Sequence, residues 1–170
     1  MKKLLIVSGF TFLSFFSFAN ANIVNAEEQF IDSIHAEETV IYDNSGEKVE
    51  PIRVSEENND LITPLGAHYP TSTKWLNNGA SYQSNEFSAS GRRYGGYLFN
   101  SSTTRKFRVT FRKGGFGANL TSTAAYPGNI EESFNLPLSG SPYTLTTTRF
   151  FYFLVDNPNQ GQTYHVRALN

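Results

Sequence analysis

Ten basic side chains stand in residues 61–170, and seven of them are arginine. Arg92 and Arg93 lie between Gly91 and Tyr94, while Lys106, Arg108 and Arg112 recur at spacings of two and four. A guanidinium group grips phosphate or carboxylate through paired N–H donors, so the chemistry these residues suit is anion recognition. Trp75, Tyr94 and Tyr97 offer flat rings for stacking on sugars or for a place at a membrane interface. The binding residues expected from sequence are therefore Arg92, Arg93, Lys106, Arg108, Arg112, Trp75, Tyr94 and Tyr97.

Other chemistries find fewer residues to work with. The three histidines, at positions 35, 68 and 165, have no ligand spacing, so no metal is expected. Serines are plentiful, but none sits in the Gly-x-Ser-x-Gly turn that exposes a nucleophile. Glu131 and Glu132 are adjacent, and on a strand they would point to opposite faces rather than act as an acid–base couple. No catalytic residue is named on these grounds, and no cofactor is expected.

The cations must be positioned by strands. In residues 105–113, RKFRVTFRK, Phe107, Val109 and Phe111 alternate with Lys106, Arg108, Thr110 and Arg112. A period of two sends the apolar residues to one face and the cations to the other. Residues 118–125 read as the partner of this strand. Residues 130–138 carry Phe134, Leu136 and Leu138 at spacing two, with Pro137 marking an edge. Residues 150–155 are apolar on both faces, which predicts a central strand. Residues 164–169 alternate again, with His165 and Arg167 outward, and read as a hairpin with the strand before them. Turn signals at Asn77-Asn78-Gly79, Gly114-Gly115 and Pro127-Gly128 punctuate these segments, and helical periodicity is missing. The expected fold is an all-β antiparallel sandwich, jelly-roll or immunoglobulin-like.

The formal net charge of −1 hides an asymmetry. Residues 27–60 hold eleven acids against Lys48 and Arg53, a balance of −9, whereas residues 61–170 hold ten bases against four acids, a balance of +6. Opposite halves of this kind suggest an acidic arm and a basic body. Within the arm, residues 39–42 are a short strand candidate and Asn44-Ser45-Gly46 a turn; an added edge strand is one alternative to a solvating tail or a removable pro-segment. Residues 1–26 read as a secretory signal, with Lys2 and Lys3, an apolar run over 4–19, and small-residue sites ending at Ala21 and Ala26. That run is shorter than the roughly 20 residues that span a bilayer. The expected organisation is a signal peptide at 1–26, an acidic linker or pro-segment at 27–62 and a β-sandwich domain at 63–170, with no transmembrane segment in the mature chain.

The chain has no cysteine. An exported domain without disulfides relies on its core alone, and the 15% aromatic content supplies the bulk. The reading is a secreted, extracellular bacterial binding protein, bacteriocin- or toxin-like. Its basic face docks on an anionic cell-surface polymer, a membrane surface or a glycan, with no specific nucleic acid as partner. The alternative is a secreted hydrolase or enzyme inhibitor with a loop-built site.

Overall fold

The computed structural model describes residues 38–52 and 68–170. Eleven strands run through them: β1 (Val40–Tyr42), β2 (Thr73–Trp75), β3 (Ser81–Gln83), β4 (Arg92–Tyr94), β5 (Leu98–Asn100), β6 (Lys106–Arg112), β7 (Phe116–Thr121), β8 (Glu132–Leu136), β9 (Tyr143–Thr146), β10 (Phe150–Asp156) and β11 (Thr163–Ala168). A front sheet has the order β1-β9-β6-β11-β3, and a back sheet has the order β2-β5-β10-β7-β8, with β4 also on β10. Among the described residues only β2 and β5 pair in parallel. The two sheets make an all-β sandwich, and no described residue is α-helical. No helix among the described residues is long and apolar enough to cross a membrane.

The alternation read in β6 is realised in full: Phe107, Val109 and Phe111 are buried and Lys106, Arg108, Thr110 and Arg112 are exposed. Buried rings meet between the sheets. Phe107 lies 4.9 Å from Phe151, Phe111 5.0 Å from Phe116, and Phe153 4.7 Å from Tyr164, centroid to centroid. Tilted and edge-on ring pairs of this kind add about 0.5–1.5 kcal/mol each beyond their burial. Strand β10 is central, as its two apolar faces require. Its outward residue Tyr152 is covered by the rings of Tyr69 and Tyr94. The Tyr152 hydroxyl accepts from Asn119 Nδ2 and donates to the Pro127 carbonyl, which satisfies it in a dry place.

Two connections differ from the hairpins expected. Strand β7 does not pair with β6; it lies in the back sheet between β10 and β8. The glycines at 114 and 115 carry the chain across. A Cβ on Gly115 would stand 2.5 Å from the Leu136 carbonyl oxygen, so only glycine passes there. Strands β10 and β11 likewise belong to different sheets. The reason is that both edges of β10 are taken, one by β7 and the other by β4 and β5. Alternation tells which way side chains point, but a strand beside another in sequence can also face it across the core.

Part of the acidic arm is built into the sandwich. Strand β1 pairs with β9 and buries Ile41, so the portion of 27–62 within the described residues extends the front sheet as an edge strand. Asp43 closes the turn that follows, its Oδ1 accepting from the amides of Ser45 and Glu47 at 2.9 Å. Residues 1–26, read from sequence as a secretory signal, lie outside the described residues, as do residues 27–37 and 53–62 of the arm.

Candidate anion-binding face

The outer surface of the front sheet is made by residues that point away from the core on five strands. Cross-strand register aligns Tyr42, Thr144, Arg108, Arg167 and Ser81 in one transverse row. Adjacent rows hold Lys106 opposite Thr146, and Thr110 beside His165 and Gln83. Arg112 stands opposite Thr163. None of these five strands contains an Asp or Glu.

Arg108 and Arg167 are directly opposed. Their Cβ atoms are about 5 Å apart at such a register, and like charges so placed repel. Nothing in the packing calls for two guanidinium groups side by side. Both reach solvent, and neither has an acceptor among the described residues. Lys106 and Arg112 are equally unpaired.

Several cations elsewhere have partners. Arg92 holds Asp156 through two hydrogen bonds, of 2.8 and 2.9 Å. Those bonds keep the Asp156 carboxyl below its ordinary value. Arg149 contacts Glu131 at 3.0 Å and Glu132 at 2.9 Å, which explains the adjacent carboxylates as a structural clasp. Lys48 pairs with Glu38, Lys113 donates to the Gln160 carbonyl, and the Lys74 ammonium lies 5.0 Å above both Tyr82 and Tyr97.

The structure therefore divides the residues expected from sequence. Lys106, Arg108 and Arg112 share the front face, and Arg167, given no place among them, joins at its centre. Arg92 and Arg93 lie on β4 of the back sheet. The three rings do not form one platform. Trp75 is 52% exposed on β2 with its edge against Phe150. Tyr94 packs on Tyr69 at 4.9 Å, and Tyr97 packs on Tyr82 at 5.2 Å. Burial raises the phenol of Tyr94 and that of Tyr82. Among the described residues no cluster of His, Asp and Glu has the geometry of a metal site. No protein-family model, curated protein or solved structure matches this chain.

Proposed function

We propose that this is a secreted bacterial jelly-roll protein that docks on an anionic cell-surface polymer through the outer face of its front sheet. The jelly-roll reading is supported by strand order. The chain from β3 to β11 sets β9-β6-β11-β3 against β5-β10-β7-β8, two interleaved Greek keys of eight strands. The functional reading is carried by one observation: Arg108 opposes Arg167 on a face whose strands carry no Asp or Glu and that also bears Lys106 and Arg112. A cationic array without internal partners has its charge available for an external anion, and it steers one toward the surface. A broad sheet face suits an extended polymer better than a compact solute. Of the described acids of the arm, Asp43 holds a turn and Glu38 pairs with Lys48.

The test is elution from immobilised polyphosphate across a salt gradient. The double substitution Arg108→Gln with Arg167→Gln should weaken binding roughly tenfold, since each exposed ionic contact is worth at most about 1 kcal/mol. A charge-matched control, Lys74→Gln with Arg92→Gln, should elute like the parent. Equal loss in both doubles would mean that net charge alone binds the polymer, and the face would lose its role.

A further inference from the structure

A cleft opens where the edge of the front sheet meets the edge of the back sheet, between β3 and β4. It encloses about 320 Å³ and is lined by Tyr82, Asn85, Glu86, Phe87, Arg93 and Tyr94, among others. Tyr82 and Phe87 both pack on the buried ring of Tyr164, which fixes them from behind. Arg93 and Glu86 line the same cleft without pairing to each other, and neither has another partner among the described residues. A second hollow, of about 420 Å³, lies on the front face and is lined by Arg112, His165, Gln83, Thr110 and Thr163. The two hollows share Ser84 and Glu86. One track therefore leads from the front-face cations, past Glu86, to Arg93.

We infer that the cleft is a saccharide subsite and that the polymer bound by the front face is an acidic glycan, an inference that rests on the docking proposed above. The chemistry of the lining selects this class. Amphipathic rings accept the C–H face of a sugar, and the planar ends of Asn85 and Glu86 match neighbouring hydroxyls. Arg93 adds a fork for a carboxylate. Glu86 would repel a ligand that was anionic throughout, so the occupant must offer hydroxyls to one side chain and a negative group to the other. A uronic or sialic acid residue does both. The cleft volume lies at the small end of the range for ligand sites and suits one or two sugar rings. A lipid acyl chain would leave Arg93 and Glu86 buried against hydrocarbon without partners.

The full chain should be titrated with trigalacturonate, a hyaluronan tetrasaccharide and sialyllactose, and separately with inorganic polyphosphate, by calorimetry. At least one of the acidic saccharides should bind. Arg93→Gln and Glu86→Gln should each weaken that saccharide at least fivefold with the thermal midpoint unchanged, and Arg93→Gln should leave polyphosphate affinity unchanged. The Arg108→Gln/Arg167→Gln pair should weaken polyphosphate. Saccharide binding that ignores both Arg93→Gln and Glu86→Gln, or no binding by any of the three saccharides at millimolar concentration, overturns the subsite while leaving the docking face to its own test. Polyphosphate binding that ignores Arg108→Gln/Arg167→Gln overturns the docking face, and the glycan assignment with it.

Discussion

Arg108 and Arg167 carry opposite consequences for stability and for binding. Side by side on β6 and β11 they repel, and the cost of such a pair is about 0.2–1 kcal/mol. Arg167→Thr, which also suits a strand better, should raise the midpoint of urea unfolding in dilute buffer. The gain should shrink as salt screens the charges. The same variant should bind polyanion less well. If Arg167→Thr lowers stability at every salt concentration, the pair is a packing feature and the argument from repulsion fails. Arg108 was legible as an outward cation from β6 alone. Its apposition to Arg167 was not, because that depends on the register of two strands 59 positions apart, and alternation fixes direction without fixing partners.

At the scale of strands, the core is an aromatic seam between β6, β11 and β9 in front and β10, β7 and β5 behind. Phe151 touches Phe99, Phe107 and Phe153, and it is fully buried. Phe151→Ala should therefore cost about 3–5 kcal/mol in chemical denaturation, a large share of the roughly 5–15 kcal/mol that holds a domain of this kind. Tyr164 gives the contrasting case. Its ring is central to the seam, yet its hydroxyl is buried with no hydrogen-bond partner. A Cβ on Gly95 would stand 2.4 Å from that oxygen, so glycine is what leaves room for it. Tyr164→Phe keeps the ring and removes an unsatisfied polar group, so it should be neutral or stabilising. A loss above about 1 kcal/mol in the same assay would show that the hydroxyl is satisfied in solution. The inward and outward faces of β6 and β11, and the central place of β10, followed from apolar spacing. Strand β4 did not, because Arg92, Arg93 and Tyr94 between glycines show no apolar period; β10 draws them into the sheet through backbone pairing.

For the molecule as a whole, the all-β class was readable because turn chemistry and period-two spacing agree along most of the body. The route of the chain between sheets was not, since crossing over and turning back use the same glycines. The candidate site followed the same division. Three front-face cations were found from β6, whereas Arg92 was claimed by Asp156 and Arg93 was placed at the cleft. Buried phenols set one global property. Burial pushes Tyr152 and Tyr164 well above the ordinary phenol value of about 10. In the unfolded chain they would ionise near that value, while the folded protein keeps their protons to higher pH. Their contribution to stability is thus complete below about pH 10 and is lost progressively as pH rises from there toward the folded-state values. Tyrosinate absorbance and near-ultraviolet circular dichroism, followed together upward from pH 8, should show the last tyrosines ionising only as structure is lost. Complete ionisation with the dichroism intact would contradict the burial of these two side chains.

The most direct measurement is a map of backbone amide shifts as polyphosphate is added to the isotope-labelled chain. Docking through the front sheet predicts that the perturbed amides cluster on Lys106–Arg112, Tyr143–Thr146 and Thr163–Ala168, with the outward positions of Arg108 and Arg167 at the centre. Perturbations centred instead on β2 and the outer face of β10, or spread evenly over both sheets, would contradict it.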